Sequence, residues 1–281
     1  MPEQIIPIQT KRVDSLEVLF ALPPKDVPPR NTPLLFLHGA FAGGWMWTDN
    51  FLPWFARQGY RSYALSFSGH GGSECDKELN YLAIADYVED VKTCVDDLTA
   101  QGLPEPVLIG HSMGGFVAQK YLEHCFAPAA ALLCAVPPQG LLLSQLHLMS
   151  TKPDLLVELN RIIAGGEVSL AAVKEILFAQ PVATEVLRRF QANMQLESQR
   201  AIWDMSLFNL PLLPRWQRPP LLVVGAEEDL LVPPFLVEAT ALTYGLSARI
   251  FPGMGHAITH ESDWKDVARA VAEWLVSIGI R

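Results

Sequence analysis

The chain has 281 residues, half of them apolar and 18% charged, with a formal net charge of -9. That composition excludes a disordered chain, and an acidic balance without long charge runs disfavours nucleic acid and anionic membranes as partners. No apolar stretch approaches the roughly 18 residues that a membrane span needs. The opening Met-Pro-Glu-Gln-Ile-Ile also lacks the basic-then-apolar pattern of a secretory leader, so a soluble, cytoplasmic protein is expected. The cysteines Cys75, Cys94, Cys125 and Cys134 form no C-x-x-C pair and stand at no zinc-finger spacing, which predicts reduced, mostly buried thiols and no metal.

Along the chain, Gln4 to Ala21 reads as two strands joined near Asp14-Ser15, followed by a proline-rich connection from Pro23 to Pro33. Then come short continuous apolar runs: Leu34–Leu37, Val107–Ile109, Ala130–Leu133 and Leu221–Val224. Runs of that length suit central strands buried on both faces, and Tyr63–Leu65 and Ala248–Phe251 are two further candidates. Between them lie helical patterns at Tyr81–Ala100, Met113–His124, Pro234–Tyr244 and Trp264–Ile278. Strands alternating with helices predict an α/β fold, a mostly parallel eight-stranded sheet covered on both faces, with the initial hairpin as an antiparallel edge.

One stretch breaks the alternation. Helices are predicted at Leu141–Met149, Asp154–Ala164, Leu170–Ala179 and Thr184–Met205, with no strand among them. Residues 137–214 therefore read as a helical cap inserted into a core domain made of residues 1–136 and 215–281. Leu141–Met149 is apolar on nearly all sides, as befits a cover over an apolar cavity.

The chemistry starts at Gly110-His111-Ser112-Met113-Gly114, a G-x-S-x-G pattern between a predicted strand and a predicted helix. A sharp reversal there forces the serine into a strained conformation that exposes its hydroxyl, and the positions two residues either side must be small. Ser112 is thus the candidate nucleophile. It needs a base, and of seven histidines His256, in a loop after the last predicted strand, is best placed, with His260 as the alternative. The base needs an orienting acid: Asp229, just past the strand Leu221–Val224, with Glu228 as the alternative. Backbone N–H groups should form an oxyanion hole, one from Met113 and one from the loop after Leu37, at Ala40 or else Phe41. Phe41, Trp45 and Trp203 are candidate pocket aromatics.

These pieces resemble the α/β-hydrolase superfamily with a helical cap: His38-Gly39, Ser68-Gly69-His70-Gly71-Gly72-Ser73, the Ser112 elbow, Asp229 before Val232-Pro233-Pro234, and Gly255-His256. The stretch from His38 to Trp45 is similar to the oxyanion segment of small esterases and hydroxynitrile lyases. Many relatives carry an aspartate where this chain has Ser66. The resemblance implies a serine hydrolase that needs no cofactor and cleaves a small-to-medium apolar carboxylic ester through an acyl-enzyme on Ser112. The alternatives are the same triad acting on another bond (a C–C hydrolase, lactonase, thioesterase, amidase or hydroxynitrile lyase) or a non-catalytic ligand receptor on this fold.

Overall fold

In the computed structural model, which describes residues 5–214 and 218–281, the first turn is made at Asp14, whose φ of 52° is left-handed. It joins β1 (Gln9–Val13) to β2 (Leu16–Ala21) as an antiparallel hairpin with Val13 opposite Leu16. The sequence-expected start of that first strand at Gln4, and the expected return to the core at residue 215, lie outside the described residues.

The remaining strands follow the apolar runs. They are β3 (Leu34–Leu37), β4 (Ser62–Leu65), β5 (Val107–His111), β6 (Ala130–Leu133), β7 (Leu221–Ala226) and β8 (Arg249–Phe251). Every residue of β3, β4, β5 and β6 is buried, because helices cover both faces of the sheet. Among the described residues the sheet has eight strands in the order β1-β2-β4-β3-β5-β6-β7-β8, antiparallel at the hairpin edge and parallel elsewhere. Side chains alternate between the faces along each strand. Leu35 and Leu37 join the core under α2 (Ile84–Ala100), α3 (Met113–Tyr121) and α9 (Pro234–Thr243). Leu34 and Phe36 join the opposite core under α1 (Phe51–Arg57) and α10 (Trp264–Ser277).

The order β4-β3-β5 fixes where a site can form. The chain leaves β3 toward one side and, after β4, crosses to the other, so the loops after β3 and β5 diverge and open a crevice at the carboxyl ends of the strands.

Between β6 and β7 the described chain holds only helices: α4 (Leu142–Thr151), α5 (Pro153–Ile163), α6 (Leu170–Leu177), α7 (Thr184–Asn193) and α8 (Gln199–Trp203), the last running into a π-helical turn at Asp204–Phe208. Here the sequence reading needs correction, because Thr184–Met205 is not one helix. The chain turns extended at Met194 and restarts at Ser198, whose hydroxyl accepts the Ala201 N–H at 3.2 Å as a helix cap. Hydrogen bonds linking the Gln195 and Glu197 side chains to distant parts of the chain outweigh the helical propensity of that stretch. Tyr81 likewise lies outside α2, which begins after Ala83, where the Asp86 carboxylate accepts the Ala83 N–H at 2.8 Å. Helix α1 escaped the sequence reading because Pro53 looks like a breaker. It sits in the first turn, where the missing N–H costs nothing.

Candidate active site

Ser112 closes β5 and caps α3 with φ 52° and ψ -116°, a conformation rare for any side-chain-bearing residue. The surrounding structure imposes it. The Ser112 N–H donates to the Leu133 carbonyl at 3.0 Å, while its own carbonyl accepts the N–H groups of Gly115, Phe116 and Val136 at 3.1–3.2 Å. A Cβ at Gly114 would collide with the Leu37 carbonyl and one at Gly110 with the Gly114 backbone, so the tight reversal requires both glycines.

His256 follows β8, and its Nδ1–H donates to Asp229 Oδ2 at 2.8 Å. The other carboxylate oxygen, Oδ1, accepts the Leu231 and Val232 N–H groups at 2.9 Å each. Asp229 is therefore buried and held on both sides, whereas Glu228 is exposed. His111 donates from Nε2 to the His256 carbonyl at 2.8 Å, bracing the base loop from the elbow. His260 lines the same cavity as Ser112, but among the described residues no carboxylate holds it: its Nδ1 meets the Thr259 hydroxyl at 3.0 Å and its ring packs edge-on against Phe190 at 5.2 Å between centroids. Ser112 and His256 line one cavity of about 150 Å³ together with Ala40, Phe41 and Met113.

The N–H groups of Ala40 and Met113 donate to no other group among the described residues. The Phe41 N–H, by contrast, is directed at Glu197 Oε2 at 3.4 Å, and Phe41 itself adopts φ 63°. Of the pocket aromatics expected from the sequence, Phe41 lines the cavity. Trp45 does not; it stands behind Phe190, a lining residue, at 5.1 Å between centroids. Trp203 lies outside the lining and is 58% exposed, stacked loosely on Phe208. Its position at the end of α8 turns it to solvent, and Trp203→Ala is expected to leave kcat/KM within about twofold, as for an exposed side chain far from substrate. A tenfold loss with intact folding would return it to the site.

Among the described residues, one group has donors close enough for a cation: the Cys134 sulfur, an Asp229 oxygen and a His256 nitrogen lie within 4.8 Å of one another. Asp229 and His256 already hydrogen-bond to each other. The Cys134 thiol is pushed well above its usual pKa by burial and then by the nearby Asp229 charge, so it faces the carboxylate as a neutral thiol.

The sequence pattern of the alpha/beta hydrolase family matches residues 34–270. The chain belongs to that family. It is 25% identical over 238 residues to a monoacylglycerol lipase of Mycolicibacterium smegmatis, covering 79% of this chain and 80% of the relative. Solved structures of the same fold include a monoacylglycerol lipase of Paleococcus ferrophilus (TM-score 0.67, 17% identity, 90% of this chain and 97% of that one). An esterase of Exiguobacterium antarcticum aligns with TM-score 0.69 at 17% identity, over 96% of this chain and 99% of that one.

In this alpha/beta hydrolase several buried polar residues that the sequence did not single out hold the site loops. The carboxylate expected of relatives at Ser66 comes instead from β2: Glu17 Oε1 accepts the Ser66 hydroxyl at 2.7 Å and the Gly72 N–H at 3.0 Å. Asp90 accepts the Ser68 N–H and hydroxyl at 2.7 and 2.8 Å. Glu261 accepts the N–H of Gly255, next to His256, and that of Ala179 beyond α6, both at 2.7 Å. Glu197 accepts the Tyr87 hydroxyl at 2.7 Å and pairs with His70 Nε2 at 3.1 Å.

Buried imidazoles make stability depend on pH. Burial, aided by the His70 charge, lowers His38 to about 3, burial lowers His260 to about 4, and burial with the nearby His256 holds His111 far down. Each therefore takes up a proton near pH 6.5 in the unfolded chain but only at much lower pH when native, so stability rises with pH up to about 6.5. Asp90 opposes this: burial raises it to about 6, so the native state keeps a proton that the unfolded carboxyl has lost above about pH 4. Three groups against Asp90 and, toward pH 6.5, His70, which Glu197 raises against the effect of its burial, leave a positive slope. The urea midpoint is expected to climb between pH 4.5 and 6.5, and a flat or falling midpoint would contradict the burial of neutral histidines.

Proposed function

We propose that the protein is a serine hydrolase that cleaves small-to-medium apolar carboxylic esters, with Ser112 as nucleophile, His256 as base and Asp229 as its orienting acid. The observation that carries this reading is the strained Ser112 opening into the same apolar cavity as a histidine held by a buried carboxylate. In this scheme His256 Nε2 takes the Ser112 hydroxyl proton as Oγ attacks the ester carbonyl, and the Asp229 charge stabilises the imidazolium. The oxyanion rests on the Ala40 and Met113 N–H groups, each such donor typically contributing about 2.7–4 kcal/mol in the transition state. His256 returns the proton to the leaving alcohol, then activates a water that releases the acid. No cofactor enters this scheme.

Residues 137–214 act as a cap that shapes the cavity, supplying much of its lining from α4 to α8. Among the described residues no Asp, Glu, Lys or Arg lines that cavity, which favours a neutral substrate. The monoacylglycerol lipase and esterase relatives support an ester bond over the other bonds this fold can cleave. Among the described residues no helix is long and apolar enough to cross a membrane, and all four cysteines are free thiols, which suits a cytoplasmic enzyme.

Steady-state turnover of p-nitrophenyl esters of graded acyl length tests the reading. We expect hydrolysis with an optimum at short or medium chains and labelling of Ser112 by a fluorophosphonate. Folded protein that turns over no chain length would defeat it.

A further inference from the structure

The cap side of the cavity is apolar, with two exceptions. Ser144 and Gln145, adjacent on α4, are its residues with hydrogen-bonding side chains; around them stand Leu141, Leu148, Ile162, Val173, Ile176 and Met205. Ser144 is 3% exposed, and its hydroxyl has no hydrogen-bond partner among the described residues. That is unusual for a serine on a helix, which can donate back to the carbonyl three or four residues earlier. Ser150, Thr151, Ser206, Thr240, Thr243 and Ser277 do so here, at 2.7–2.9 Å. Ser144 instead leaves its hydroxyl unpaired in the wall of the cavity, where burial without a partner is costly.

We infer that Ser144 and Gln145 form a second polar subsite that takes a neutral hydroxyl carried by the substrate away from its ester group. A hydroxyl both donates and accepts, and so do the serine hydroxyl and the glutamine amide next to it on α4. A carboxylate or ammonium fits poorly, because no charged side chain lines the cavity to compensate it. The substrate is then an apolar ester with one wet point beyond the scissile bond. This inference rests on the ester-hydrolase reading for its substrate class, but its test does not need turnover.

In the Ser112→Ala protein, calorimetry would compare ethyl octanoate with 1-monooctanoylglycerol, hydroxylated in the alcohol part, and ethyl 8-hydroxyoctanoate, hydroxylated at the acyl end. One hydroxylated ester is expected to bind about five- to tenfold more tightly than ethyl octanoate, the gain of one buried neutral hydrogen bond. Adding Ser144→Ala should erase that preference while leaving ethyl octanoate within about twofold, and Gln145→Leu should reduce it in a protein whose Ser144 is intact. The inference falls if neither hydroxylated ester is preferred, if the preference survives both variants, or if no ester binds. If the preference is found and the wild type turns over no ester, the subsite stands and the hydrolase reading fails.

Discussion

Ser112→Ala is expected to fold as the wild type does and to lose turnover by about four to six orders of magnitude, because the base and the oxyanion donors then have no nucleophile to serve. Stability should barely change. Among the described residues the Ser112 hydroxyl makes no hydrogen bond, and the strain at φ 52° is felt equally by alanine. The tension is held by the backbone bonds to Leu133, Gly115, Phe116 and Val136, which the substitution leaves in place. His256→Ala should cost about as much turnover as Ser112→Ala, and Asp229→Asn about 10⁴-fold, since an asparagine can still occupy the site but favours the wrong imidazole tautomer. The losses should not add: the double variant Ser112→Ala/His256→Ala should be no slower than Ser112→Ala alone, because the three residues act as a unit. Residual turnover of Ser112→Ala within tenfold of wild type would show that another group attacks.

Strands whose burial is two-sided left an unambiguous mark in the sequence: β3, β5, β6 and β7 each coincide with an unbroken apolar run ended by a polar or small residue. The elbow was equally legible, because Gly110 and Gly114 are demanded by contacts made within a few residues of Ser112 or with the adjacent strand. Less could be read where long-range polar contacts decide. Nothing near Gln195 or Glu197 announces that their side chains reach Gly69, Gly71, Tyr87 and His70, more than a hundred positions earlier, so the break between α7 and α8 was read as continuous helix. Ring size alone does not say which aromatics face a pocket. Which side of α8 Trp203 faces depends on how that helix docks, and its anchor is Asp204, whose carboxylate accepts the Ile84 N–H at 3.2 Å at the start of α2.

The segment carrying Glu197 also bears on the loop proposed to supply the Ala40 oxyanion donor. Its carboxylate is fully buried against His70 and Tyr87, takes the Ser198 N–H at 2.8 Å, and reaches the Phe41 N–H. Gln195 reinforces the join, its N–H donating to the Phe41 carbonyl at 3.1 Å. By engaging Phe41 on both sides, this segment fixes the loop that presents the Ala40 N–H to the cavity. Glu197→Gln keeps the shape and removes the charge. Breaking a buried ion pair from one side costs about 3 kcal/mol, and at about 2–4 °C per kcal/mol for a chain of this size the melting temperature should drop by roughly 6–12 °C. With a looser loop, kcat should fall about tenfold with KM little changed, as expected when an interaction made chiefly in the transition state is weakened.

The pH dependence identifies the cause. Burial favours neutral Glu197, but the His70 charge and the hydrogen bonds of His70, Tyr87 and Ser198 hold its pKa below the usual value. Its contribution is therefore complete above about pH 4.5 and is lost as pH falls through the lowered value. Burial likewise opposes a charged His70, yet Glu197, the Ser68 carbonyl and Asp90 raise its pKa, so its contribution is complete below about pH 6.5 and is lost as pH rises through the raised value. The stability gap between wild type and Glu197→Gln should be widest near pH 5–6 and shrink as pH rises through the raised His70 value. His70→Asn combined with Glu197→Gln should cost less than the sum of the two single losses. A gap that stays constant from pH 5 to 9, or full additivity, would mean that Glu197 supports the oxyanion loop through shape and neutral hydrogen bonds rather than through its charge.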